Sequence, residues 1–324
     1  MSLQWPGVVR EHMKKDIETI SVIGAGAVGA AYAGMLYEMD SRCVSFVAGG
    51  GRGERLRREG LIVNGTHYLI PVLHPDDVSE PSDLVIVAVK HHHLGDAIRD
   101  MKHRVGAETI IMSVMNGIES EEQIGAAYGM EKVLYAVTMG IDALREGNHV
   151  TYTTQGKLFF GEALNTVPTA RVARVQALFD RAGITYETPP DMMRILWWKF
   201  MVNVGINQAS AVLRAPYSVF QTSREAEELM ESSMREVIML SEKAGVNLSG
   251  EDIEKFQSVL HRLSPQGKTS MLQDIEAGRK TEVEMFAGKV IELGTRLHVP
   301  TPVNQKLFDE IKRIEAEYDR TKTA

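Results

Sequence analysis

The chain is 324 residues long, with 44% hydrophobic and 24% charged residues, which suits two globular domains and excludes disordered and fibrous classes. The 36 basic against 43 acidic residues leave a net charge of −7, which argues against a nucleic-acid role. The single cysteine, Cys43, excludes an intrachain disulfide and a cysteine-built metal cluster. No segment reaches the roughly 18 apolar residues of a membrane span. Met1 to Thr19 mixes Arg10, Glu11, Lys14, Lys15 and Asp16 and lacks the apolar core of a signal peptide. The expectation is a cytoplasmic protein with a loose extension over residues 1–16.

From residue 17 to 188, short β-rich runs alternate with amphipathic segments. Thr19–Ile23, Cys43–Val47, Leu84–Val89, Thr109–Val114 and Val133–Thr138 read as buried strands of a parallel sheet. Ala30–Met39, Leu94–His103 and Glu121–Tyr128 read as the helices between them, so the pattern is that of βαβ units. Leu61–Asn64 and His67–Leu73 predict a hairpin around Gly65-Thr66. His149–Thr153 and Lys157–Phe160 predict a second around Gln155-Gly156. After Pro189-Pro190 the strand signal stops. Met192–Leu213, Ser223–Ala244, Gly250–Leu263 and Met271–Leu297 have the 3.6-residue period of helices, so residues 189–324 predict an all-helical domain.

The first strand runs into Gly24-Ala25-Gly26-Ala27-Val28-Gly29 and then a helix, which places a G-x-G-x-x-G turn where a dinucleotide pyrophosphate binds. Gly24 permits the tight turn, Gly26 the close approach of a phosphate, and Gly29 the packing of helix on strand; the free N–H groups at the helix start attract the anion. An NAD site carries a carboxylate at the tip of the second strand. Here that tip reads Ala48-Gly49-Gly50-Gly51-Arg52-Gly53-Glu54-Arg55, a flexible glycine run followed by two arginines. The charge favours NADPH over NADH, with a solvated helix-start face as the plainer reading of each arginine.

In the helical half, Lys199, Asn203 and Asn207 fall at i, i+4 and i+8, on one face of an otherwise apolar helix. Three polar side chains there require a ligand or one another. A lysine so placed can protonate an oxygen that gains charge as hydride arrives; a helix–helix polar network is the alternative. Ser270 and Asp274 share a second face, with Glu282 two turns on, which by itself reads as an exposed charged helix.

Gly24–Gly29, Val89-Lys90, Met115-Asn116-Gly117, Lys199–Asn207 and Ser270-Met271-Leu272-Gln273-Asp274 with Thr281-Glu282 occur together and in order. In these motifs the chain resembles the ketopantoate reductase (2-dehydropantoate 2-reductase) family over roughly Ile17 to Glu317. The resemblance implies a Rossmann-type α/β domain followed by a helical domain of the 6-phosphogluconate-dehydrogenase type. It also implies NADPH-dependent reduction of 2-dehydropantoate to (R)-pantoate, towards pantothenate and coenzyme A. On this resemblance Lys199 is the general acid, and Asn203, Asn207 and Ser270 hold substrate. Asn116 touches both substrate and cofactor, and Glu282, a second catalytic residue that also contacts the cofactor, lies at their junction. Gly24, Ala25, Gly26, Ala27, Val28, Gly29, Arg52, Lys90 and Ala143 line the cofactor. Neither half holds both donors, so the active site is expected in the cleft between them.

Two positions depart from the family pattern. An arginine that often follows the second strand falls at Gly49, and a substrate-contacting asparagine falls at Tyr217. Relatives that reduce other 2-keto acids to D-2-hydroxy acids, often with NADH, are therefore the alternative. A dinucleotide-binding sensor is a third reading, disfavoured because Lys199, Asn203, Asn207, Ser270 and Glu282 are all present. A methyltransferase would leave the helical half unexplained. The expected partner is a small 2-keto acid, with no nucleic acid, membrane or metal; the family's helical domain often supports dimers, which leaves a homodimer open. His91-His92-His93 does not read as a metal site, because consecutive side chains diverge. Most of the 17 methionines, with Trp197 and Trp198, are expected in the core. Arg55-Leu56-Arg57-Arg58 is too short for a nucleic-acid patch.

Overall fold

The computed structural model describes residues 16–323; residues 1–15 of the expected extension lie outside them. Strand β1 (Ile20–Ile23) leads to helix α1 (Ala27–Met39), β2 (Val44–Val47) and α2 (Gly50–Glu59). Next come β3 (Leu61–Val63), β4 (Thr66–Tyr68), β5 (Val72–Leu73), β6 (Leu84–Val87) and α3 (Leu94–Asp100). They are followed by β7 (Ile110–Ser113), α4 (Ser120–Tyr128), β8 (Val133–Met139), β9 (Leu144–Glu146), β10 (His149–Thr151) and β11 (Lys157–Gly161). Helix α5 (Ala170–Ala182) and β12 (Tyr186–Glu187) complete this half.

The main sheet has eight strands in the order β12-β11-β8-β7-β6-β1-β2-β5, a doubly wound arrangement with β1 beside both β2 and β6. All four residues of β1, β6 and β7 are buried, because helices cover both faces. The two-residue period sorts them: Leu84 and Ile86 pack with α1 and α5, and Val85 and Val87 pack with α3 and α4. A smaller sheet, β4-β3-β10-β9, lies against α1.

The remaining elements are helical: α6 (Met192–Leu213), α7 (Tyr217–Thr222), α8 (Arg224–Lys243), α9 (Gly250–Leu260), α10 (Ser270–Glu276), α11 (Lys289–Leu297) and α12 (Pro302–Thr323). A π-helical turn, Glu284–Gly288, precedes α11. Asp191 caps α6 by accepting from the Arg194 N–H at 2.9 Å. Helix α6 is central: Gly205 lets it approach α8, since a Cβ there would lie 2.4 Å from Met234 Cε. Trp197 is buried in this core and Trp198 packs on it. No described helix is long and apolar enough to cross a membrane.

The structure corrects the sequence in four places. The first predicted hairpin forms, but its turn is Asn64-Gly65, both at positive φ, and Val72–Leu73 leaves it to join the main sheet. The second does not form. β10 pairs with β9 across Gly147-Asn148 and with β3, while β11 pairs with β8. Gly147, at φ +63°, supplies a tight two-residue turn that competes with Gln155-Gly156. The predicted helix Met271–Leu297 is broken after Glu276, where Gly278 adopts φ +58°. The glycine run after β2 is the start of a helix: Gly49 is the N-cap of α2, and a Cβ on Gly53 would lie 2.3 Å from the Ala48 carbonyl oxygen. Helices α5 and α12 were not read from the sequence.

Candidate active site

The glycine turn is a cradle built by exclusion. Gly24 has φ +107°, and a Cβ there would lie 2.5 Å from the Ala88 carbonyl oxygen at the end of β6. A Cβ on Gly29 would lie 2.1 Å from the Gly24 carbonyl oxygen, so what Gly29 admits is the turn's own backbone rather than strand packing alone. Gly26 differs: its Cβ would meet only Ala88 O, at an ordinary 3.7 Å. Packing within the chain leaves that position room, and it faces the start of α1. No side chain caps that helix, and Ala27, Val28 and Gly29 form its first turn, whose N–H groups have no intrahelical acceptor. The cradle therefore fits a phosphate-bearing ligand.

The face predicted on α6 meets the other half of the chain. Lys199 Nζ donates to Asn116 Oδ1 at 3.0 Å and to the Thr138 carbonyl at 2.5 Å. Asn203 Nδ2 lies 3.5 Å from the same Asn116 oxygen. Asn207 Nδ2 donates to Asn203 Oδ1 at 3.1 Å, and Ser270 Oγ donates to Asn207 Oδ1 at 3.2 Å. One chain of polar groups thus runs from the end of β8 to the start of α10. All acceptors of the Lys199 ammonium are neutral. Burial pushes its pKa down to about 8, partly countered by the Glu282 carboxylate.

Beside this chain Lys90, just past β6, donates to Asp274 at 3.0 Å and reaches Glu282 at 3.4 Å. The His91 N–H donates to the other Glu282 oxygen at 3.3 Å. Burial opposes the charge of Lys90, but Glu282 and Asp274 outweigh it and raise its pKa. Asp274 and Glu282 are buried, so the exposed charged helix is not what forms. Arg279 holds the second Asp274 oxygen at 2.8 Å. Asp274 was not assigned from sequence, although its i, i+4 spacing from Ser270 marked it; the Thr138 carbonyl left no signal. Gly117, next to Asn116, has φ +89° and packs against Met285 of the π-helical turn.

Arg52 is exposed in the first turn of α2, and Ala143 precedes β9. Two residues past Ala143, Arg145 donates from Nη1 to the Ala25 carbonyl of the glycine turn, a contact the sequence did not suggest. The three histidines make a short 3₁₀ turn before α3, with His91 Nδ1 3.8 Å from Glu119.

Two family models match this chain: ketopantoate reductase PanE/ApbA over residues 20–165 and the ketopantoate reductase PanE/ApbA C-terminal model over 191–315. The chain belongs to the ketopantoate reductase family. A 2-dehydropantoate 2-reductase of Aquifex aeolicus is 26% identical over 299 residues, covering 90% of this chain and 95% of the relative. The solved PanE/ApbA family ketopantoate reductase of Ralstonia eutropha superposes with a TM-score of 0.80 at 25% identity, over 93% of this chain and 99% of that one. A D-mandelate dehydrogenase, solved with NADH and anilino(oxo)acetate, superposes with a TM-score of 0.85 at 21% identity over the same shares. That last likeness carries the fold alone. The protein is thus an oxidoreductase of the ketopantoate reductase family, with a Rossmann-type domain followed by a helical one.

Proposed function

We propose that this family member reduces 2-dehydropantoate to (R)-pantoate with NADPH, in a cleft between a nucleotide-binding domain, residues 17–188, and a helical domain, residues 189–324. The observation that carries this reading is the Lys199 ammonium, held by Asn116 and Thr138 of one half while it belongs to the other. The Gly24–Gly29 turn, Arg52, Lys90 and Ala143 would hold a dinucleotide, which when bound would supply the hydride. Lys199 donates a proton from Nζ to the keto oxygen as that oxygen gains charge, and its own charge stabilises the developing alkoxide. Asn203, Asn207 and Ser270 offer amide and hydroxyl groups that orient the substrate's polar end, and Asn116 reaches substrate and cofactor. Glu282 fixes Lys90 and the chain at His91, which keeps the two halves in register.

The test follows loss of reduced-nicotinamide absorbance with 2-dehydropantoate, NADPH and NADH in parallel. The expected result is turnover with NADPH. Lys199→Ala is expected to lose roughly two to four orders of magnitude in kcat with NADPH affinity nearly unchanged. Near-normal turnover of that variant removes Lys199 from the acid's role. A second reading, reduction of a bulkier 2-keto acid with NADH, is favoured by the Tyr217 ring, which packs on Gly267 in the loop before α10. Turnover confined to an aryl 2-keto acid with NADH selects it.

A further inference from the structure

The small sheet brings an arginine to the glycine turn from outside the doubly wound fold. Arg145 lies on β9, which is held through β10 to β3. Its Nη1 donates to the Ala25 carbonyl and its Nε to the Gly147 carbonyl at 2.8 Å; Nη2 has no hydrogen-bond partner among the described residues. The side chain is half-buried, and burial first, then the charges of Arg52 and Arg55, lowers its pKa; β1 and β2 pair in register up to Ile23 and Val47, which sets the Ala25 turn beside the start of α2. None of the three makes an ion pair among the described residues. Glu54 and Glu146, their neighbours in sequence, make none with them either.

Three arginines at neighbouring strand ends, none with a carboxylate partner among the described residues, suit an anion laid across those ends. Their position says which anion. Ala25 belongs to the turn at the end of β1. Arg52 and Arg55 lie three residues apart on α2, which follows β2 directly and where Gly53 packs on the Ala48 carbonyl much as Gly29 packs on that of Gly24. A dinucleotide laid across these two strand ends puts its pyrophosphate at the first and its adenosine ribose at the second. A pyrophosphate alone sits on α1 and leaves Arg52 and Arg55 unmatched. A phosphate on the ribose, bearing about −1.5 to −2 charge, matches the cluster.

We propose that Arg145 is a specificity-determining residue that spans the pyrophosphate turn and the ribose end and reads a 2′-phosphate together with Arg52 and Arg55. This deepens the NADPH reading and rests on it. Arg145 replaces by reach what the side-chain-free Gly49 cannot supply at the tip of β2. The plane of a guanidinium suits a phosphate better than a lysine does.

The experiment is calorimetric titration of the full chain with adenosine 2′,5′-bisphosphate and adenosine 5′-monophosphate, repeated for Arg145→Gln and Arg145→Lys, with melting temperature as the folding control. Wild type is expected to prefer the bisphosphate by about tenfold or more. Arg145→Gln is expected to lose most of that preference while binding the monophosphate within about threefold of wild type, and Arg145→Lys to keep part of it. If wild type discriminates and both variants discriminate equally well, the role of Arg145 is overturned and the NADPH reading stands. Equal weakening of both nucleotides by Arg145→Gln overturns it too, since Arg145 then acts on the shared end. If wild type shows no preference, the NADPH reading itself falls.

Discussion

A buried ammonium whose hydrogen-bond acceptors are all neutral titrates early. Lys199 donates to Asn116 and Thr138 and burial lowers its pKa to about 8, so the proton that the proposed mechanism passes to the keto oxygen is lost as pH rises through that value. The free-enzyme profile of kcat/KM is therefore expected to be flat below about pH 8 and to fall roughly tenfold per unit above it. An ordinary lysine, near ~10.4, would hold the plateau two units further; a plateau to that range would contradict the burial of this group. The face Lys199, Asn203, Asn207 was legible in the sequence because helical spacing is local. Its partners were not, since Asn116 and Thr138 lie 83 and 61 positions away.

At the scale of elements, α12 shows how a long helix is anchored at a buried end. Glu236 of α8 accepts from the backbone N–H of Val303 at 2.7 Å and of Asn304 at 3.0 Å, and from Asn304 Nδ2 at 2.7 Å. The carboxylate satisfies the orphan donors of the first turn and faces its positive end. Glu236→Ala leaves these donors buried without an acceptor and is expected to cost roughly 2–4 kcal/mol in urea unfolding. Glu236→Gln should cost less. Far along α12, Glu315 accepts from the Thr281 N–H at 2.8 Å and its hydroxyl at 2.7 Å, which braces the segment carrying Glu282. The helix was visible in principle, with Pro302 at its start and Leu307, Ile311 and Ile314 on one face. The break at Gly278 was not, because Met271, Leu272 and Ile275 before it and Val283, Phe286 and Val290 after it keep a similar period.

Across the whole molecule, the two halves are tied by groups of opposite charge as well as by the Lys199 chain. Lys90 reaches Asp274 and Glu282, and Lys289 of α11 reaches Glu119, just before α4, at 2.9 Å. Global stability carries a separate pH signature from Glu121, buried in α4 and bonded to Ser120 at 2.9 Å. Burial raises its pKa from 4.5 to about 7, outweighing its hydrogen bonds. The folded state thus holds a proton that the unfolded chain releases. The contribution is complete below about pH 4.5 and is lost as pH rises to about 7. Glu121→Gln is expected to stabilise the protein at pH 8 by up to roughly 3 kcal/mol and to gain little at pH 4. Thermal melts at the two pH values decide it; an equal shift at both would mean that ionisation is not the cause.

The sequence alone determined the Rossmann-type half, the helical half and the glycine turn, because each rests on a short-range rule: strand period, helix period, and a turn only glycine can make. It also marked the polar face of α6. Tertiary structure decided which groups that face meets, that Asp274 is buried with Glu282 around Lys90, that β10 pairs with β9 and β3, and that Arg145 arrives at the glycine turn. These depend on packing between distant segments, where several pairings satisfy the same local pattern and only the closed fold selects among them.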